Sequence, residues 1–206
     1  SALIDILEGF VFSSDSKVFI LKGYAGTGKT TMMSALIGTL PFFKIDTVLL
    51  APTGRAAKVL SIFSKKQAYT IHKRIYYTSH DENGYVFSTT RNKNKNAVFI
   101  VDESSMIGLG NDGKLFSRNL LEDLFNHVFA SDGCKIIFIG DTAQLPPVHE
   151  EISPALDEEY IHRQFGILAE QYKLSQVVRQ ALDSGILKNA SNLRYRISVS
   201  NYSLPI

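Results

Sequence analysis

The sequence predicts an α/β fold with a mostly parallel sheet and helices on both faces, and three observations carry that reading. Four short apolar, β-rich runs recur with helical or loop material between them: Val18 to Leu21, Thr47 to Leu50, Val98 to Val101 and Ile136 to Ile139. Near-continuous apolar strands of this kind are buried on both faces, as strands of parallel sheets are. The first run leads through Gly23-Tyr24-Ala25-Gly26-Thr27-Gly28-Lys29-Thr30 into Thr31 to Ile37, so strand, glycine-rich turn and helix follow directly on one another. Each run also ends in polar, chemically capable residues, and the carboxyl ends of strands are where ligands bind in open α/β sheets.

The bulk numbers fit one domain. A chain of 206 residues can bury a full hydrophobic core. Apolar residues at 45% and charged residues at 20% describe an ordinary soluble globule. A net charge of +2 gives no argument for nucleic acid or membrane from bulk charge, so any basic surface must be local. The single cysteine, Cys134, excludes an internal disulfide and fits a reducing, cytoplasmic setting; heading the run Lys135 to Ile139, it reads as a small buried side chain. No apolar run approaches the length of a membrane span, and the opening residues Ser1 to Glu8 are not a signal peptide. Leu3, Ile4, Leu7 and Phe10 instead recur at helical spacing.

The turn after the first strand has the GxxxxGK[ST] pattern in the strand-to-helix setting that makes it a phosphate-binding loop. Gly23, Gly26 and Gly28 let backbone N–H groups converge on an anion, and the following helix adds partial positive charge there. Lys29 would reach the β- and γ-phosphates and Thr30 would ligate Mg²⁺. The full nucleotide-binding set is Gly23, Ala25, Gly26, Thr27, Gly28, Lys29, Thr30 and Thr31.

After the second strand comes Ala51-Pro52-Thr53-Gly54-Arg55-Ala56-Ala57-Lys58. Pro52 and Gly54 break the strand, Thr53 can cap a helix beginning just after it, and Ala56 to Phe63 looks helical. Such a loop can hold a phosphodiester backbone, but a solvated helix start explains it equally well. Thr70-Ile71-His72-Lys73-Arg74-Ile75 is polar and basic at its exposed positions, and a histidine without a nearby carboxylate or nucleophile reads as structural rather than acid–base. Residues 76–80 and 85–90 are β-prone arms around Asp81-Glu82-Asn83-Gly84, with a basic return through Arg91 to Asn96. The region 76–97 thus reads as an inserted β-hairpin or, equally, a surface loop; aromatics beside cations would also suit a single-strand stacking platform.

The third strand runs into Asp102-Glu103-Ser104-Ser105-Met106. Downstream of a phosphate loop, Asp102 can hold the metal while Glu103 orients and polarises an attacking water. Leu115 to Phe129 carries a helical apolar stripe, read as core. The fourth strand ends in Gly140-Asp141-Thr142-Ala143-Gln144-Leu145-Pro146-Pro147, where Gln144 can sense a γ-phosphate. Tyr172 to Gln180 reads as another strand leading to Arg179, and Asp183 to Arg194 as a last helix.

In this order the pieces resemble the first RecA-like domain of superfamily 1B DNA helicases, the RecD and Dda group, within the P-loop NTPases. Gly-Tyr-Ala-Gly-Thr-Gly-Lys-Thr-Thr resembles motif I, Ala-Pro-Thr-Gly-Arg-Ala-Ala motif Ia, and Thr-Ile-His-Lys motif Ib. Asp-Glu-Ser-Ser-Met is similar to motif II, Gly-Asp-Thr-Ala-Gln-Leu-Pro-Pro to motif III and Val-Val-Arg-Gln to motif IV, so the likeness covers roughly residues 17–196. The resemblance implies ATP- and Mg²⁺-dependent 5′-to-3′ translocation on single-stranded DNA. It implies that Lys29 and Thr30 bind phosphate and Mg²⁺, that Asp102 holds the metal and that Glu103 activates water. Gln144 and Arg179 would face the γ-phosphate, and Thr53, Arg55, Thr70 and His72 the DNA backbone. The hairpin lies where relatives carry a strand-separating pin.

Two departures qualify the likeness. The family's upstream glutamine, which reads adenine, is not in this chain, and nothing resembles motifs V and VI of the second RecA-like domain. The expectation is therefore that 1–206 is a single RecA-like domain, the N-terminal motor domain of a larger helicase, partnered by a second motor domain and by other subunits of a recombination or repair complex, as in an exodeoxyribonuclease V α-subunit. Alone it should bind Mg·ATP weakly and hydrolyse it slowly. A P-loop nucleotide switch or phosphotransferase that does not act on DNA is the alternative.

Overall fold

The computed structural model describes residues 2–81, 84–110 and 119–175. Among these, six strands form one parallel sheet: β1 (Val18–Gly23), β2 (Asp46–Ala51), β3 (Ala68–Thr70), β6 (Ala97–Val101), β7 (Lys135–Gly140) and β8 (Ala169–Leu174), in the spatial order β3-β2-β6-β7-β1-β8. The four strands expected from the apolar runs occupy the centre of that sheet. The two edge strands differ from the sequence reading: β3 is only three residues long, and β8 begins before Tyr172 and ends at Leu174, because an edge strand tolerates the polar, half-exposed pattern Ala-Glu-Gln-Tyr-Lys-Leu.

Strand alternation sorts the core into two layers. Phe19, Leu21, Leu49, Ile100, Ile137 and Ile139 face α1 (Ala2–Phe12), α2 (Lys29–Thr39) and α3 (Gly54–Ser64), meeting Leu7, Phe10, Met33 and Leu60. Ile20, Leu50, Phe99, Val101 and Phe138 face the other way, toward α4 (Ile71–Ile75), α5 (Leu120–Phe129) and α6 (Glu158–Phe165). On that side Phe125 stacks at 4.2 Å on Phe165 and at 6.0 Å on Phe138. Each fully buried side chain of this size contributes about 1.5–3 kcal/mol against leaving it in water. The apolar stripe expected over Leu115 to Phe129 is helical from Leu120; Leu115 to Arg118 lie outside the described residues, as do the expected helix Asp183 to Arg194 and the segment carrying Arg179.

Between α4 and β6 the chain forms an antiparallel pair, β4 (Tyr76–Asp81) and β5 (Gly84–Thr89), running from Tyr76↔Thr89 to Asp81↔Gly84. The region 76–97 is thus a hairpin in its first part and an irregular return from Thr90 to Asn96 in its second. Its root is tied to the domain. Tyr76 Oη donates to Asp123 Oδ2 at 2.6 Å, Thr90 N to Ile75 O at 2.7 Å, and Asn92 Nδ2 to Val128 O at 3.1 Å. His127 Nδ1 donates to Thr90 O at 2.7 Å while its Nε2 is buried without a partner among the described residues, and burial pushes its pKa down against that hydrogen bond. Cys134 is buried, as the sequence predicts, and its Sγ lies 3.4 Å from Asn94 O.

Candidate functional site

Parallel pairing brings the ends of β1, β6 and β7 side by side, with Lys22 opposite Gly140 and Val101 opposite Phe138. The residues following these three strands therefore meet above one edge of the sheet. They enclose a cavity of about 460 Å³ lined by the loop residues Tyr24 to Gly26 and Gly28 to Thr31 together with Asp102, Glu103, Asp141 and Gln144.

The loop from β1 to α2 owes its shape to glycine. Gly26 (φ 78°) and Gly28 (φ 87°) hold the left-handed conformation that other residues adopt only at a cost, and a Cβ on Gly23 would stand 2.7 Å from Thr27 Oγ1. Thr27 braces the turn through its hydroxyl, which donates to Tyr24 O at 2.8 Å. Lys29 Nζ donates to Gly23 O at 2.6 Å and Tyr24 O at 2.9 Å, so the ammonium sits over the loop at the cavity wall. The helix start, with Thr30 and Thr31 in its first turn, opens onto the same space.

Across the cavity, Asp102 N donates to Leu50 O and Asp102 Oδ1 accepts from Glu103 N at 2.9 Å. Burial pushes the Asp102 pKa up; its bond from Glu103 N–H and the Lys29 charge oppose that, while the Glu103 charge adds to it. A cation in the cavity would relieve this penalty. Glu103 has a left-handed backbone (φ 52°), followed by a 3-10 turn over Ser104–Met106. The turn is held from below by Ser153, whose Oγ lies 2.8 Å from Ser104 O and 2.6 Å from Ile107 O, and by Glu150 Oε1, which accepts from Leu109 N at 2.7 Å.

Gln144 joins the two loops. Its Nε2 donates to Glu103 Oε2 at 3.2 Å and its Oε1 accepts from Ser105 Oγ at 2.8 Å. Asp141 is buried and spends Oδ1 on Ala143 N at 2.9 Å, which shapes its own turn. The structure thus gathers Tyr24 to Gly26, Gly28 to Thr31, Asp102, Glu103 and Gln144 around one cavity, while Gly23 and Thr27 shape the loop without lining it. Sequence reasoning passes over Ser105, Ser153 and Glu150; the second serine of Asp-Glu-Ser-Ser is the signal available for the first. The hydroxyl and carboxylate at Thr30 and Asp102, the cationic Lys29 and the glycine cradle are the donor set that Mg²⁺ and a polyphosphate need.

Two neighbouring features extend the site. An apolar cavity of about 540 Å³ lies between α1 and α2, and Gly28 and Thr31 line both it and the first cavity. On the other side, the ends of β2 and β3 are adjacent, with Ala51 opposite Thr70. Thr53 caps α3 by accepting from Ala56 N at 3.2 Å, and Thr70 caps α4 by accepting from Lys73 N at 3.1 Å. Arg55 is exposed, and His72 lies 5.7 Å from the Tyr76 ring with its pKa pushed down by burial. Among the described residues no helix is long and apolar enough to cross a membrane.

A family profile described as AAA domain matches residues 8–196. The ATP-dependent RecD2 DNA helicase of Deinococcus radiodurans is 30% identical over 177 residues, covering 86% of this chain and 22% of that protein. The ATP-dependent DNA helicase dda of Enterobacteria phage T4 is 32% identical over 183 residues, covering 84% and 37%. The chain therefore spans well under half the length of these relatives. Among solved structures, Bacteroides Pif1 bound to ssDNA superposes with a TM-score of 0.55 at 19% identity, over 98% of this chain and 46% of that one. Pif1 helicase from Candida albicans gives 0.50 at 21%, over 94% and 42%.

Proposed function

The chain belongs to the AAA domain family, and from that premise we propose that it is the ATP-binding motor domain of a RecD-like DNA helicase that couples ATP hydrolysis to 5′-to-3′ translocation on single-stranded DNA. The observation that carries the reading is the cavity in which the Gly23 to Thr31 loop, Asp102, Glu103 and Gln144 converge.

Within that reading the loop N–H groups and Lys29 would bind the phosphates, and Thr30 and Asp102 would hold Mg²⁺, which would supply charge neutralisation to the polyphosphate. Glu103 would orient the attacking water and take its proton as the water oxygen bonds to the γ-phosphorus and the bond to the β-phosphate oxygen breaks, releasing ADP and inorganic phosphate; Gln144 would contact the γ-phosphate. Arg179, outside the described residues, would add a further cation, and a second RecA-like domain of the longer protein would complete the site. The apolar cavity that shares Gly28 and Thr31 supports seating the nucleotide base between α1 and α2. Thr53, Arg55, Thr70 and His72 lie at the starts of the two helices that follow the adjacent strand ends of β2 and β3, which supports one track for a DNA backbone, and the hairpin would act as the strand-separating pin. A cytoplasmic setting and further subunits of a repair or recombination complex fit this assignment.

The test is nucleotide binding, turnover and DNA binding by the chain. A fluorescent ATP analogue should bind with Mg²⁺ and be lost in Lys29→Ala. Single-stranded DNA should bind with an affinity that falls with salt, weaken about uniformly across sequences in Arg55→Ala, and raise the ATP turnover of the longer protein that carries the second RecA-like domain. Turnover of that longer protein indifferent to DNA, with no DNA binding at low salt, would favour the nucleotide switch or phosphotransferase instead.

A further inference from the structure

We propose that Ser105 is a positioning residue for Gln144, its fixed hydroxyl holding the glutamine carbonyl so that the amide nitrogen turns toward Glu103 and the phosphate cavity. The inference rests on reading that cavity as an ATP site and names the device that sets its response to a terminal phosphate.

The two partners differ in how firmly they are held. Ser105 is 3% exposed and sits in the turn that Ser153 supports from below and that Ser104 Oγ ties to Val101 O at 2.8 Å. Gln144 is exposed, on the turn closed by Gln144 N donating to Asp141 O at 3.1 Å. A glutamine amide has two ends of similar shape and opposite hydrogen-bonding character, so shape alone does not choose between its two orientations. Glu103 selects the end: its carboxylate only accepts, so Nε2 faces Oε2, and the Ser105 hydroxyl, donating to the Oε1 left on the other side, pins the amide in that orientation. One N–H of that nitrogen meets Glu103, and the other remains for an acceptor oxygen entering the cavity. The reversed amide would set its carbonyl against the Glu103 carboxylate and would repel a terminal phosphate, which offers acceptors and no donors at neutral pH.

Ser105 therefore acts through Gln144, without touching the nucleotide, and its removal should alter discrimination between a triphosphate and a diphosphate. In Ser105→Ala, the ratio of affinities for a non-hydrolysable ATP analogue and for ADP should fall about 3- to 10-fold, the size expected for one neutral hydrogen bond. Ser105→Cys, with a weak S–H donor, should lie between the two and guards against a folding defect in the alanine variant. In a Gln144→Ala background, Ser105→Ala should change the ratio no further. Independently of nucleotide, the side-chain amide pair of Gln144, assigned by its loss in Gln144→Ala, should move to solvent-exposed glutamine positions in the NMR spectrum of Ser105→Ala. An unchanged amide pair, or a Ser105→Ala effect of full size in the Gln144→Ala background, would overturn the proposal. If the wild-type chain binds neither nucleotide, the ATP-site reading fails, and the amide spectrum alone decides whether Ser105 positions Gln144.

Discussion

Gly140 ends β7 one residue before Asp141, and Gly140→Ala should destabilise the domain through a contact that can be measured in advance. A Cβ at this position would stand 2.6 Å from Leu156 Cδ1 and 3.1 Å from both Leu156 Cδ2 and Ser105 N. Carbon atoms prefer about 3.5–4.0 Å, so the new methyl is about 1 Å too close. Leu156 is 1% exposed and has nowhere to turn, and Ser105 N belongs to backbone. Overpacking of this kind costs about 1–3 kcal/mol, against which the lost freedom of the unfolded glycine returns about 0.4–1 kcal/mol. The net is a loss of about 1–2 kcal/mol, or roughly 2–8 °C in Tm for a domain of this size. Gly38→Ala is the control: a Cβ there meets nothing within 4 Å on α2, so helix propensity should raise stability by about 0.5–1 kcal/mol. Thermal and urea melts of the two variants read both signs. A Gly140→Ala protein melting at or above the wild type would refute the packing argument.

Tyr76→Phe should cost about 1–2 kcal/mol by removing the bond to Asp123, and should speed amide hydrogen exchange at the hairpin root around Tyr77 and Ser88 more than in β6; uniform exchange would place the loss elsewhere. Thr53→Ala should lose about 1 kcal/mol of helix-cap stability that Thr53→Ser retains, so a fall in DNA affinity common to both would mark a contact made by the whole threonine rather than by the cap. His127 has a folded-state pKa below its ordinary 6.5, from burial and from the Arg74 charge, so the folded protein binds fewer protons than the unfolded one just below that value. Its contribution is present above pH 6.5 and is lost as pH falls toward the lowered folded value. His127→Gln should flatten that stretch of the stability–pH curve, and an unchanged slope would mean that another group carries it.

What the sequence discloses here depends on how local the physics is. The Gly23 to Thr31 loop is legible because left-handed glycines, a lysine and a helix start follow one another directly in the chain. Asp102, Glu103 and Gln144 are legible as candidates because they follow apolar strands, although only the strand order places them together. The edge strands are less so: three residues at Ala68–Thr70 give too short a pattern, and of Ala169–Leu174 only the end from Tyr172 is read, because its polar side chains alternate half exposed. The hairpin root is illegible for another reason. Tyr76, Asp123, Thr90 and His127 are joined by bonds spanning 37 to 47 positions, and no local propensity records such a pairing. Arg179, which the sequence singles out together with its strand, lies outside the described residues.

The backbone of Glu103 shows why this site needs its support. A non-glycine residue in the left-handed region carries a cost of about 1–2 kcal/mol, and glycine at that position would remove the cost together with the carboxylate. The turn keeps the strained conformation because several bonds depend on it: Glu103 N to Asp102 Oδ1, Met106 N to Glu103 O, and Ser153 beneath the carbonyls of Ser104 and Ile107. A right-handed residue 103 would carry the chain away from Ser153 and Gln144 together. The strain, the half-buried Asp102 carboxylate and the Ser105 to Gln144 bond therefore form one arrangement, in which local conformational energy is given up to hold two acidic groups beside a lysine and the glycine-rich loop.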